Sequence, residues 1–377
     1  MTGTAVYEPG TAQFQRDRSS VYRALRDDDP VHRMSDGAYV LSRFDDVWTA
    51  VHDWETFSSD HVAESRIAAP MMIYMDPPRH SSLRAIVSQA FTPRRVADLE
   101  PSVRRIVRET LADLPERFDL AHDIAAPIPS RMIAELIGVP EELRETFRSW
   151  TEAFLELASP SDGLDRFVRI YELFATLLDE RRRAPTDDLM SALLAAEVEG
   201  EHLTNDELLG FCFLLLIAGN DTTTSLIGSG AHLLAEHPDQ RAALVADPTL
   251  IPAAIEEMAR LESPAQALPR TAMRDVDLHG VTIPEGSRVL LCWGAANLDE
   301  REFPDAERFD ITRRAKRHLG FGHGAHYCLG ASLARLEARV AFEELLLALP
   351  QYRLAGGEER YTSTWARAWR TLPIIAR

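Results

Sequence analysis

Apolar residues recur at helical spacing through most of the chain and alternate at strand spacing only in short pieces. The pattern therefore predicts a mainly α protein with small β-sheets. A strand-like pair at 31–34 and 38–41 precedes a helix over 44–52. A second helix over 83–91 ends at Thr92-Pro93, because the residue before a proline resists helical geometry. Further helices are predicted over 96–114, 141–157 and 166–183, the last two joined by a loop at 159–163. The longest candidate runs from Thr204 to about Glu236, and Thr204 with Glu207 forms a capping box that marks its start. At about 1.5 Å per residue it would be roughly 50 Å long. Its first half is apolar on all sides, which predicts burial across the middle of the molecule. Helices over 252–261 and 329–348 follow. The segments 277–283 and 287–291 read as short strands around the turn Pro284-Glu285-Gly286. Neither repeat nor long linker interrupts the pattern, so residues 1–377 read as one domain.

Composition narrows this picture. A chain of 377 residues, 45% apolar and 27% charged, can bury a core and a cofactor within it. A net charge of −18 argues against nucleic acid as a partner. The longest apolar run, 211–218, is far short of the roughly 20 residues of a membrane span, and residues 1–18 are polar. No membrane anchor is expected, and the expected compartment is the cytoplasm. Three cysteines with no close pair, Cys212, Cys292 and Cys328, suit a reducing environment. Basic residues gather around the last of them: Arg313, Arg314, Lys316 and Arg317 before it, Arg335 and Arg339 after it. Alone, such a cluster reads as a solvated loop; on an acidic protein it can also dock an acidic partner.

The most informative stretch is Phe321-Gly322-His323-Gly324-Ala325-His326-Tyr327-Cys328-Leu329-Gly330. Its glycines let the backbone turn tightly and approach a ligand closely. Cys328 stands at a predicted helix start, where unsatisfied N–H groups favour a thiolate. A lone cysteine is more often a small buried hydrophobe, and His323, His326 and Cys328 suggest zinc, but a structural zinc site needs a fourth ligand that no nearby pair supplies. A second unusual stretch lies inside the long helix, where Ala218-Gly219-Asn220-Asp221-Thr222-Thr223-Thr224 follows the apolar run. A threonine hydroxyl there can bond back to the Ala218 carbonyl and bend the helix. The polar side chains either satisfy one another at a kink, or Asp221 and Thr222 relay protons.

Together these stretches resemble the cytochrome P450 family. Its signature runs Phe, Gly three places on, a basic residue, Cys, Gly, which Phe321, Gly324, His326, Cys328 and Gly330 match in order; Ala218, Gly219, Asp221 and Thr222 match its long-helix motif. The resemblance implies the cytochrome P450 fold, with haem b between the long central helix and the cysteine-loop helix and Cys328 as axial ligand of the iron. It implies that His80, Arg84, Arg270 and His326 bind haem propionates. Asp221 and Thr222 would deliver protons during dioxygen activation. Glu257 and Arg260, three apart on one helix face, would form a buried pair completed by Arg308. The implied activity is that of a monooxygenase inserting one atom of O2 into a C–H or C=C bond of a hydrophobic small molecule, of the kind found in secondary metabolism. NAD(P)H-derived electrons would come through a separate ferredoxin and ferredoxin reductase. A peroxide-driven oxygenase and a non-catalytic haem-binding or recruitment protein are the rivals. Expected pocket residues are those of 62–75, Leu214, Leu215, Ala218, Ala265, Gln266 as a polar anchor, Ala267, Leu268, Thr364 and Trp365.

Overall fold

A computed structural model describes residues 7–60, 70–144, 146–147, 160–198 and 200–376. The protein is mainly helical, and its longest helix, Asn205–Glu236, carries the architecture. Thr204 caps it: the Thr204 side chain accepts from the Glu207 N–H while the Glu207 carboxylate accepts from the Thr204 N–H. Its N-terminal half packs in one apolar cluster with Leu83, Ile86, Phe174, Leu177 and Leu193. Its C-terminal half packs in another with Ile106, Ile255, Met258 and Phe342. The helix is long and apolar enough to cross a membrane, but 67% of that window is buried inside the molecule, as in a core helix.

A third cluster lies under a five-stranded sheet ordered Val31–Arg33, Tyr39–Leu41, Arg288–Leu291, Leu268–Ala272, Phe57–Ser58. Only the Tyr39–Leu41 and Arg288–Leu291 pair is parallel, with Tyr39 opposite Val289. This sheet holds Arg270, on its Leu268–Ala272 strand, at a fixed register against Val289. The helix Phe44–His52 covers the sheet with Phe44, Val47, Ala50 and Val51, as its periodicity predicts.

Several boundaries differ from the sequence expectation. The predicted 96–114 helix is two, Pro93–Asp98 and Glu100–Leu111, because Pro101 begins a new first turn. The predicted strand 277–283 is a hairpin, Val276–Leu278 on Val281–Ile283, turned by His279 and Gly280 at positive φ (51° and 80°). The Pro284-Glu285-Gly286 turn therefore joins that hairpin to the five-stranded sheet. Of the loop expected at 159–163, residues 160–163 belong to the helix Pro160–Arg183. The helix expected over 141–157 begins as a single turn, Glu141–Leu143, and largely lies outside the described residues. The N-terminal helix Ala12–Asp28 was not anticipated.

Candidate active site

The polar residues of the central helix sit where its two apolar clusters meet. Asn220, Asp221, Thr223, Thr224 and Ser225 are buried. On another face, Leu215 and Thr222 are half-buried and Ala218 is exposed, spaced by three and four residues, with Leu214 beside them. On a helix largely covered elsewhere, these residues form an accessible wall. The same cluster draws in half-buried Met71, Met75 and Leu329, which joins the cysteine loop to this wall.

Thr222 Oγ1 donates to the Ala218 carbonyl at 2.6 Å, yet the helix runs unbroken from Asn205 to Glu236. The Asp221 carboxyl accepts only a long bond from Asn220 Nδ2, 3.4 Å, and its Oδ2 is buried without a partner. Burial pushes its pKa up to about 7, with Asn220 opposing.

The cysteine loop is shaped by Gly322 and Gly324, both at positive φ (65° and 68°). A Cβ on Gly324 would collide with the Val51 carbonyl oxygen, so only glycine lets the loop lie against the end of the Phe44–His52 helix. The turn closes with Cys328 N–H on the Phe321 carbonyl, 2.9 Å. The helix Ala331–Ala348 begins after Gly330, and a Cβ on that glycine would meet nothing within 4 Å. Burial pushes the Cys328 thiol up, while the Gly330 N–H, Arg84 and Arg335 pull it down. The net direction is upward: on the protein alone, desolvation outweighs the helix-start effect expected from sequence.

Four bases converge beside the loop. His80, on the helix Arg79–Ser88, packs against His326 with ring centroids 4.2 Å apart and the ring planes tilted by 45°. Both nitrogens of His80 and Nε2 of His326 are buried without partners. Arg84 Nη2 donates to the Tyr327 carbonyl at 2.6 Å, and buried Arg270 donates to the adjoining Pro269 carbonyl at 2.7 Å. Burial and the neighbouring cations lower His80 to about 4 and His326 to about 2, and burial lowers Arg270 to about 10. Four bases facing one another, with Asp76 the one carboxylate acting on His80 and Arg270, make a socket for an anion. Two carboxylates on the edge of a flat ligand would supply the missing acceptors and raise these pKa values again. The residues therefore fit haem.

Comparison with known proteins agrees. The sequence model of the family described as Cytochrome P450 matches residues 165–350. "Cytochrome P450 130" of Mycobacterium tuberculosis is 42% identical, covering 93% of this chain and 92% of its own. The "Vitamin D(3) 25-hydroxylase" of Pseudonocardia autotrophica is 40% identical over 99% of this chain and 97% of its own. The chain belongs to the cytochrome P450 family. Among solved structures, cytochrome P450 CYP109Q5 from Chondromyces apiculatus superposes on this P450 with a TM-score of 0.93 at 40% identity, over 99% of this chain and 98% of that one. Membership makes the chain an oxidoreductase with a haem cofactor.

Behind the site, this P450 buries Glu257 and Arg260 completely and pairs them in a fork, Nε–Oε2 2.7 Å and Nη2–Oε1 2.8 Å. Arg260 Nη1 also donates to the Asn297 and Ala306 carbonyls. The third member is Arg313, not Arg308: Arg313 Nε reaches Glu257 Oε1 at 3.0 Å. The segment 305–310 meets the pair with its backbone, the Ala306 carbonyl on Arg260 and the Asp310 N–H on Glu257, which leaves the Arg308 side chain exposed. The basic cluster shrinks accordingly. Arg313 is inside, Arg335 forks onto Glu256 at 2.6 and 2.8 Å, and Arg339 pairs with Glu100 and Glu343. Arg314, Lys316 and Arg317 remain exposed, Arg317 lying over the Trp48 ring.

Two expected pocket residues belong elsewhere. Gln266 is buried with its Oε1 accepting from Tyr22 and its Nε2 donating to the Ser263 carbonyl, so it anchors the N-terminal helix rather than a substrate. Ala267 packs into the core around the C-terminal half of the central helix. Leu214, Leu215 and Ala218 lie on the accessible stripe. Ala265, Leu268 and Trp365 are half-buried, and Thr364 is exposed. Of the expected 62–75 wall, residues 62–69 lie outside the described residues. Sequence reasoning passed over Arg79, whose guanidinium holds Glu207 at the cap of the central helix; the glutamate of the capping box was the signal for it.

Proposed function

We propose that this P450 is a monooxygenase that inserts one oxygen atom of O2 into a C–H or C=C bond of a hydrophobic small molecule. Residues 1–377 form one cytoplasmic haem b domain, and its electrons come from NAD(P)H through a separate ferredoxin and reductase. The accessible apolar wall of half-buried Met71, Met75, Leu214 and Leu215 with exposed Ala218 suits a bulky apolar skeleton, and the relative named for vitamin D(3) makes a steroid-like one the first to try. The observation that carries the reading is Asp221 beside Thr222: a buried acid with an unpartnered oxygen, next to a hydroxyl on the accessible wall. A peroxide-driven oxygenase or a non-catalytic haem protein has no use for that pair.

When bound, haem supplies the activation of dioxygen and the transfer of one oxygen atom. Cys328 Sγ would hold the iron, and coordination deprotonates a thiol outright, overriding the upward shift that burial imposes. His80, Arg84, Arg270 and His326 would hold the propionates. Asp221, with a pKa raised to about 7, can lose and regain a proton near neutral pH, and its Oδ2 is the oxygen left without a donor. Thr222 Oγ1 holds a proton at the accessible wall. The apolar stripe orients substrate and excludes water. Exposed Arg314, Lys316 and Arg317 offer the electron donor a cationic face beside the cysteine loop.

Turnover of a steroid panel tests this reading. Product with ferredoxin, reductase and NAD(P)H is expected to exceed product with peroxide at least tenfold. Thr222→Ala is expected to divert most electrons away from product. Equal turnover with peroxide, or coupling left intact in T222A, contradicts the proposal.

A further inference from the structure

Three arginines from distant parts of the chain meet on one buried carboxylate. Arg18 comes from the helix Ala12–Asp28 and Arg360 from the strand Glu359–Arg360, which pairs with the strand Trp369–Thr371. Arg367 lies two residues before that second strand. Glu262, just past the helix Ile251–Leu261, takes Arg18 Nη2 on Oε1 at 2.6 Å. Its Oε2 takes Arg360 Nη2 at 3.0 Å and Arg367 Nε at 2.7 Å. The three arginine side chains are only 7%, 9% and 7% exposed. The Arg360 guanidinium carbon lies 3.6 Å from the centre of the Trp369 ring.

This cluster has more donors than acceptors. Arg18 Nη2 also reaches the Leu261 carbonyl, and Arg367 Nη1 donates to the backbone and side-chain oxygens of Gln15. Nη1 of Arg18 and Nη1 of Arg360 are left buried with no acceptor. The charge is uneven too. Among the described residues Glu262 is the only carboxylate bonded to these three cations. Glu236 pairs with His232 instead, and Glu358 accepts the Gly356 N–H. Burial pushes Arg360 well down, with Arg367 and Arg18 adding to it against Glu262, and burial lowers Arg367 to about 10. A buried cation short of a counter-charge is costly. A water molecule would accept from the free N–H groups, but it brings two hydrogens that need acceptors of their own and no charge. An anion accepts from both arginines and offsets their charge.

We propose that Arg18 and Arg360 form a buried binding site for a small inorganic anion, their two unpartnered Nη1 groups donating to it beside Glu262. Glu262 repels a second negative charge, so the site takes a monoanion, and chloride needs the least room. The ion would staple the N-terminal helix to the hairpin of Glu359–Arg360 and Trp369–Thr371. The site uses no residue assigned to haem or to proton delivery, so it stands or falls apart from the proposed reaction.

Crystals of the haem-loaded protein, grown without chloride and soaked in sodium bromide, test it directly. An anomalous bromine peak is expected within hydrogen-bond reach of both Nη1 groups. A water there without anomalous signal, or bromine on the outer surface alone, overturns the proposal. An adventitious ion only, bound at soaking concentration and without effect in solution, is the remaining outcome, and thermal unfolding in chloride against gluconate at equal ionic strength separates it. The haem-loaded parent is expected to unfold about 2 °C or more higher in chloride. Arg18→Met and Arg360→Met are each expected to lose that difference. Arg301→Met, which removes an exposed arginine paired with Asp27 of the same N-terminal helix, is expected to keep it. No chloride response in the parent, or an equal response in a folded R18M or R360M, overturns the proposal. If neither variant folds, the bromine peak with the parent's chloride response decides.

Discussion

At Asp221, burial beside Asn220 gives a carboxyl that titrates near 7 instead of in the usual acid range, with desolvation as the main cause. Because the folded-state pKa is raised, the folded protein binds the proton more tightly than the unfolded chain. This contribution to stability is present at low pH and is lost as pH rises from the ordinary carboxylate range to about 7. In the proposed reaction this is the proton passed on toward Thr222. Product formed per electron is therefore expected to fall as pH rises through about 7, and Asp221→Asn is expected to remove that limb and lower turnover by about 10²–10⁴-fold. A pH profile unchanged in D221N would contradict the assignment. That this acid lies inside the long helix was legible in sequence, where it stood either for a polar kink or, by the family resemblance, for a proton relay. Its pKa was not, since that depends on which neighbours leave Oδ2 without a donor.

Elements with strong local signals were legible to within a residue or two. Thr204 and Glu207 cap the central helix where the motif predicts it, and the helix Phe44–His52 has the predicted bounds. Misreadings came where one residue overrides periodicity: Pro101 restarts a helix, and His279-Gly280 reverses a strand. Arg308 was misassigned because a short sequence pattern does not say whether a segment meets its partner with side chain or backbone. Arg313, which links that segment to the helix Ile251–Leu261, takes the place. Removing it leaves Glu257, fully buried, with one cation fewer. Glu257 keeps its Arg260 fork, so losing this one charge-assisted partner costs about 1–3 kcal/mol. Urea unfolding of the haem-loaded protein is therefore expected to show that loss for Arg313→Ala and no change for Arg308→Ala. The reverse order would restore the sequence-based assignment.

At the scale of the molecule, two apolar clusters meet halfway along the central helix, and a third lies under the sheet that carries Arg270. The mainly α class with small sheets was legible from periodicity. Spacing could not bring His80, Arg84, Arg270 and His326 together, because they come from segments far apart in the chain; the family resemblance alone implied that they meet. The unpartnered nitrogens of His80 and His326, the open space beside Gly330 and the accessible stripe on the central helix fit the haem that family membership implies, with Cys328 as its proposed ligand. The most direct test is the carbon monoxide spectrum of the reduced, haem-loaded protein and of Cys328→His. The parent is expected to show the long-wavelength Soret band of thiolate-ligated haem, and the variant to lose it for the shorter-wavelength band of histidine ligation. A parent without the thiolate band, or a spectrum unmoved by the substitution, would contradict the account.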